Sequence, residues 1–227
     1  MTHIIIIIII TSLLSLITAF LYSRQNISLR VSFKAISSTG YVFIGIFSLI
    51  FNHDISILYA SGILLGLVFG LMGDMLLSLH PYLDSREGIQ FNLAGMVCFI
   101  LGHIMYIIVF TIYVGFNTAH LPFLLILPLI MFILIKIKFI NAGKYSFTLI
   151  VYCAIFNLML VQGIYYHNIV RNFFSSMLLT AVVLFIISDF LLALNNFTRK
   201  KCRYLMSFCL VFYYSAQIIF ATSLMVM

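Results

Sequence analysis

Asp74 and Asp189 are the residues of this chain with the strongest claim to chemistry. Each interrupts a long apolar run, and the chain holds only five acidic residues in all. A charged Asp at the middle of a membrane helix costs about 2.5–3.5 kcal/mol on insertion scales, and less towards the ends. Two carboxyls facing one cavity do not readily ionise together, so one holds a proton while the other stays charged. That is an acid beside a base or electrostatic stabiliser, a pairing suited to acid-catalysed hydrolysis. The same pair would serve a proton-coupled transporter or channel equally well. The plainer alternative is that each Asp accepts hydrogen bonds from neighbouring helices and holds the bundle together.

The two aspartates share a local pattern. Residues 73–79 read Gly-Asp-Met-Leu-Leu-Ser-Leu, and residues 188–194 read Ser-Asp-Phe-Leu-Leu-Ala-Leu, at an offset of 115. Each Asp stands five residues before its run's last leucine, about 7.5 Å along a helix axis. The two carboxyls are therefore expected at similar depth, below the same membrane face.

Other polar side chains gather around them in sequence. Gly102-His103-Ile104-Met105-Tyr106 puts His103 and Tyr106 on one helical face. His103 is suited to orienting a substrate or shuttling a proton, although a buried histidine bonded to a neighbouring helix explains it as simply. Tyr214 and Gln217 share a face near the C-terminus, and interhelical hydrogen bonding is their competing reading. Lys34 enters an apolar run at the level of the aspartates. It is suited to a phosphate, or else it is a snorkelling topology lysine. His3, His53, His80, His120 and His167 form no i, i+4 pair, and no HExxH is present. No metal and no cofactor is expected. Cys98, Cys153, Cys202 and Cys209 lack metal-ligand spacing and read as small hydrophobes.

The elements that must position these residues follow from composition. Hydrophobic residues make up 64% of the 227 and charged residues 7%, against about 25% charged in ordinary globular chains. The mean hydropathy is +1.23. A water-soluble fold would have almost nothing polar for its surface, and disordered or disulfide-rich classes fail likewise. The fold class expected is all-α: a polytopic membrane protein of eight transmembrane helices forming a single domain, 1–227. The runs cover about 4–22, 35–51, 57–79, 89–114, 121–140, 145–165, 173–194 and 204–226. They are continuous, unlike the short alternating segments of a barrel. The first lacks a basic leader and reads as a retained helix, not a signal peptide. Placing the connections alternately, eleven of the twelve Lys and Arg fall on one side and Arg171 alone on the other. The positive-inside rule then puts both termini away from the cytoplasm. The formal charge of +7 is topological on this reading, and no nucleic acid is expected. The 199–203 basic cluster reads as a topology signal or a grip on anionic lipid. Four helices per half would make the Asp pattern a 4+4 parallel repeat. The prolines, Pro81, Pro122 and Pro128, signal no pair of broken helices, which speaks against the transporter reading. Short loops, compact length and charge asymmetry suggest a bacterial inner membrane.

At these residues the chain resembles the lysoplasmalogenase family, the YhhN-like membrane proteins. The resemblance rests on Leu67-Val-Phe-Gly-Leu-Met-Gly-Asp-Met-Leu-Leu-Ser-Leu79 and on Ala94-Gly-Met-Val-Cys-Phe-Ile-Leu-Gly-His-Ile-Met-Tyr106. It continues in Val183-Leu-Phe-Ile-Ile-Ser-Asp-Phe-Leu-Leu-Ala-Leu194 and Tyr213-Tyr-Ser-Ala-Gln217. Where the family often has Lys-Pro this chain has Lys34-Ala35, and the N-terminal helix takes no part. The resemblance implies hydrolysis of the vinyl ether bond of lysoplasmalogens to a fatty aldehyde and glycerophosphocholine or glycerophosphoethanolamine. The partners it implies are a lysophospholipid substrate and membrane lipid. It casts Asp74 and Asp189 as the catalytic pair, with His103, Tyr106, Tyr214 and Gln217 positioning water and substrate and Lys34 meeting the phosphate. Glycosidases set two carboxyls around an oxocarbenium-like state in a comparable way.

Overall fold

The computed structural model describes residues 2–22, 27–52, 55–79, 83–198, 202 and 204–226. Arg24, His53, Asp54, His80, Pro81, the basic positions 199–201 and Arg203 lie outside the described residues, as do the side chains of His3 and Lys144. The described chain is helical throughout: α1 (Thr2–Tyr22), α2 (Ile27–Phe51), α3 (Ile57–Leu79), α4 (Ser85–Val114), α5 (Ile126–Lys136), α6 (Ser146–Val170), α7 (Phe173–Phe197) and α8 (Leu205–Val226). Eight of its segments are long and apolar enough to cross a membrane, so this is a multi-pass membrane protein. Hydrocarbon offers backbone groups no partner, and the α-helix satisfies them within one segment.

Burial is arranged for lipid. The outer face of α1 exposes Ile5, Ile6, Ile9, Leu13 and Leu16, while Thr11, Ser15 and Thr18 on the same helix are buried. Small polar residues let helices approach closely and hydrogen bond where there is no hydrophobic drive between them. Thr18 and Ser37 accordingly join α1 to α2 through their hydroxyls at 2.9 Å. On α3 the same service comes from Gly62, Gly66, Gly70 and Gly73, all buried. A Cβ at Gly66 would run into the ring of Tyr106, and one at Gly73 would meet Phe99 at 2.8 Å. These glycines admit the large α4 side chains that carry the site.

Two expectations are corrected. The second helix begins at Ile27, not Ala35. Arg30 and Lys34 had read as loop charges, but they are four apart and share a face of the helix, directed into the protein's polar interior. The fifth crossing is not one α-helix over 121–140. It is a 3₁₀ segment, Thr118–Leu125, followed by the short α5. Pro122 lies inside the 3₁₀ segment, and Pro128 stands in the first turn of α5, where a missing N–H costs nothing. Eight residues at about 2.0 Å and eleven at about 1.5 Å still give roughly 32 Å, enough for the hydrocarbon layer.

The helix neighbourhood repeats with a shift of four. The pairs α1–α2, α2–α3, α3–α4 and α2–α8 correspond to α5–α6, α6–α7, α7–α8 and α6–α4, and all eight pairs pack. The close backbone approaches of α8 to α1 and to α3 have no counterpart among the described elements, although side chains of α4 and α7 meet at His103, Phe185 and Asp189. Asp74 on α3 and Asp189 on α7 thus occupy matched places in the two halves.

Gly66→Ala is expected to destabilise the protein by about 1–3 kcal/mol, the usual cost of overpacking. Thermal unfolding in detergent checks this, with the lipid-facing Leu65→Ala close to wild type.

Candidate functional site

The first carboxyl is fully engaged. On α2, Lys34, Ser38 and Tyr41 recur at i, i+4 and i+7 and form one stripe. The Lys34 ammonium meets Asp74 Oδ1 at 3.0 Å, with both side chains buried. Oδ2 accepts from Ser38 at 2.6 Å, from Tyr213 at 2.8 Å and, more distantly, from Tyr41 at 3.4 Å. A charge pair taken out of water is tolerated only when its remaining lone pairs are satisfied, and here both oxygens are. The network continues along α8. Gln217 Nε2 donates to the Tyr213 hydroxyl at 3.2 Å, and Tyr106 donates to Gln217 Oε1 at 2.9 Å. Tyr106 is held by stacking on Phe220, ring centres 4.0 Å apart. Four helices, α2, α3, α4 and α8, are joined by this one chain of hydrogen bonds.

The second carboxyl is not engaged in this way. Asp189 faces His103, whose Nε2 lies 3.8 Å from Oδ2, beyond hydrogen-bond range. Both atoms are buried and, among the described residues, neither has a hydrogen-bond partner. His103 Nδ1 bonds to the Phe99 carbonyl. A carbonyl only accepts, so Nδ1 carries a proton, and in the neutral imidazole Nε2 presents a lone pair to Asp189. Phe156 and Phe185 hold the imidazole edge-on, at 4.4 and 4.6 Å between ring centres. Asp189 also lines an apolar cavity of about 160 Å³ between α5, α6 and α7, with Met131, Leu149, Tyr152, Cys153 and Phe156.

The two aspartates do not share this cavity, since Asp74 is absent from its walls. Phe185 packs edge-on against both His103 and Tyr213 and stands between the two sites. They remain within electrostatic reach of each other. Of the residues singled out from sequence, Lys34, Asp74, Tyr106 and Gln217 come together in the first network and His103 and Asp189 in the second. Tyr214 lies behind the first, 3.4 Å from the Ser38 hydroxyl and from the Lys34 carbonyl. Ser38, Tyr41, Tyr213 and Tyr152 escaped the sequence reading. The first two were legible as the stripe continuing from Lys34, and Tyr213 as the i, i+4 partner of Gln217.

The repeat explains the difference between the halves. Adding the offset of 115 to Lys34, Ser38 and Tyr41 gives Leu149, Cys153 and Phe156. These three line the cavity of Asp189. The cation and two hydroxyls that occupy Asp74 are therefore replaced, position for position, by apolar walls around Asp189. A third feature lies at the same end of the bundle. Arg30, Lys34, Asn92, Asn195 and Asn196 help line a cavity of about 730 Å³.

Lys34→Met is expected to destabilise by about 3–5 kcal/mol, because it leaves Asp74 buried without its cation. Lys34→Met with Asp74→Leu should recover most of that loss. A double-mutant cycle of unfolding in detergent measures the coupling.

No curated protein and no solved structure matches the chain significantly. A family model described as the YhhN family matches residues 29–224. That span omits α1 and contains every residue of both networks, in agreement with the resemblance read from α3, α4, α7 and α8. By this match over most of its length, the chain belongs to the YhhN family.

Proposed function

We propose that the protein is a membrane-embedded hydrolase that cleaves the vinyl ether bond of 1-alkenyl lysophospholipids, with Asp189 as the acid. One observation carries the reading: Asp189, with its Oδ2 buried, has no Lys or Arg opposite it among the described residues and is set in the wall of an apolar cavity. About two turns further along α7, Asn195 and Asn196 enter the polar cavity. A single-chain lipid has the matching division, with an apolar tail, a vinyl ether at its base and a phosphate head. The YhhN family membership is compatible with such an activity.

Asp189, entering as the neutral acid, gives its proton to the alkene carbon beta to the ether oxygen. The C=C electrons form the new C–H bond, and an oxygen lone pair completes the oxocarbenium ion. Water adds to the carbon next to oxygen and loses a proton to the Asp189 carboxylate or to His103 Nε2. The resulting hemiacetal loses its hydroxyl proton as the C–O bond to glycerol breaks, and the glycerol oxygen takes up a proton. A fatty aldehyde and the glycerophospho head group leave, and Asp189 is again protonated. The burial that keeps solvent from the acid strengthens its action on a developing cation. Asp74 has both oxygens occupied, so its part is positional. It fixes Lys34 at the polar cavity, where the head-group phosphate binds, and orders Tyr213, Gln217 and Tyr106. The membrane in which this takes place is a bacterial inner membrane on the same reading.

Aldehyde release from a 1-alkenyl lysophospholipid by the detergent-purified protein tests this. Asp189→Asn should cut turnover by about 10²–10⁴-fold, the range for losing a general acid, while the protein stays folded. Leu149→Lys should do the same by setting a cation opposite Asp189, where Lys34 stands opposite Asp74. Full activity in folded Asp189→Asn would return that Asp to a bundle-holding part. No aldehyde from folded wild type would sink the hydrolase and favour proton-coupled transport.

A further inference from the structure

The repeat that changes the surroundings of Asp189 also indicates what would fill them. In the first half the carboxyl of Asp74 is met at 3.0 Å by a primary ammonium on a four-carbon stem, the Lys34 side chain. Both residues are buried, so the stem is packed among helices and not spread along a surface. At the offset of 115 the counterpart of Lys34 is Leu149. Leu149 lines the cavity of about 160 Å³ whose wall also holds Asp189. The cavity thus adjoins the position from which a lysine of the second half would reach its carboxyl. Among the described residues no ammonium or guanidinium meets Asp189, and its Oδ2 faces His103 Nε2 at 3.8 Å.

Size and lining define what fits. An engineered apolar cavity of about 150 Å³ takes benzene, so this one has room for a chain of about six carbons. Met131, Leu149 and Ile186 offer such a chain apolar contacts. The rings of Tyr152 and Phe156 pack edge-on, centres 4.6 Å apart, and share the wall with Asp189. Aromatic rings attract an ammonium, and a carboxylate accepts its N–H bonds. A bare ion enters so apolar a site only at high cost. An amine can enter as the neutral base instead. Its nitrogen lone pair takes the proton of the neutral Asp189 carboxyl, the O–H electrons stay on the carboxylate, and the ion pair forms in place.

We infer that the Asp189 cavity is a binding site for a single-chain primary alkylamine, held as its ammonium against Asp189 as the first half holds Lys34 against Asp74. This site goes beyond the proposed hydrolysis and does not require it. Where that hydrolysis takes place, the bound pair carries the charges of the oxocarbenium ion beside the Asp189 carboxylate, and the amine inhibits as a mimic of that state.

The test titrates n-hexylamine, 1-hexanol, hexanoate and N,N,N-trimethylhexylammonium against thermal unfolding of the full-length, detergent-purified protein. Hexylamine should reach half-maximal stabilisation at a concentration about tenfold below hexanol, a difference near 1.4 kcal/mol. Hexanoate should be inert at that concentration. The quaternary ion should be inert as well, because it cannot enter neutral and has no N–H to donate. The amine's advantage should vanish in Asp189→Asn. It should also vanish in Leu149→Lys, which supplies the ammonium from the protein itself, and survive in Leu149→Met, which keeps that wall apolar. Equal stabilisation by hexylamine and hexanol in wild type would overturn the inference, as would an advantage that persists in folded Asp189→Asn or Leu149→Lys. Stabilisation by the quaternary ion equal to that by the amine would overturn it too, by revealing a site for any organic cation. The wild-type comparisons need no variant to fold. Aldehyde release is scored separately. Its absence with the amine preference intact defeats the hydrolase alone, and aldehyde without the amine preference defeats this inference alone.

Discussion

The Lys34–Asp74 pair is the constraint on which the rest depends. A membrane protein with so few charges holds one complete ion pair inside its bundle, with Lys34 3% exposed and Asp74 1% exposed. Neither charge has water to fall back on. Each is tolerable only while α2, α3 and α8 keep Lys34, Ser38, Tyr41 and Tyr213 around the same carboxyl. The contacts of α2 with α3 and of α8 with both are thus tied to one electrostatic requirement. The glycines of α3 follow from it as well. Once α8 is drawn to Asp74, Gln217 stands against Gly70 and Tyr106 against Gly66, and any larger residue there would force the network apart.

The second half of the molecule runs the same helices past a matching aspartate without this requirement. Leu149, Cys153 and Phe156 stand where Lys34, Ser38 and Tyr41 stand in the first half. The Asp189 side chain is more exposed than that of Asp74, 13% against 2%, and among the described residues it faces His103 in place of a Lys and hydroxyls. Two copies of one pattern therefore end as a satisfied carboxyl that ties helices and an unsatisfied one that faces a cavity. This is the separation of environments by which paired carboxyls acquire different parts. An unsatisfied buried polar group is costly.

Much of this was legible in the sequence. Continuous apolar runs long enough to span a bilayer have one structural solution, so the eight crossings and the all-α class followed from composition. Asp74 and Asp189 stood out because ionisable residues are expensive there, and the matched pattern around them put them in corresponding helices. What was not legible depended on neighbours. Depth along a helix is a one-dimensional property, and it placed both carboxyls at one level. Whether they share a cavity depends on which rings stand between, and Phe99, Phe185 and Tyr213 are ordinary apolar-helix residues in sequence. Lys34 had the look of a topology lysine because its partner is forty residues away. Hydroxyls such as Ser38 and Tyr41 carry no signal until the stripe they form with Lys34 is counted. The fifth crossing was misjudged because Pro122 and Pro128 were weighed as a missing pair of breaks and not as one break in a single span.

That break also bears on how a lipid chain would reach Asp189. In the first half α1 packs on both α2 and α8 and closes the outer side of the bundle. Its counterpart in the repeat is the fifth crossing, whose described contacts with other helices are with α6 alone. The contact that would match α1–α8, between α5 and α4, is not made among the described elements. The α-helical part of the fifth crossing is eleven residues long, and the 3₁₀ segment before it packs on α6 as well. The apolar cavity lies beside it, between α5, α6 and α7, with Asp189 on the α7 wall. For the proposed hydrolysis, the fifth crossing borders the cavity that a lipid tail would enter, as the loss of the α2-type polar stripe from α6 supplies the uncompensated acid. Both departures from the repeat fall in the half that carries Asp189, and together they turn a bundle-holding position into one that a lipid can approach.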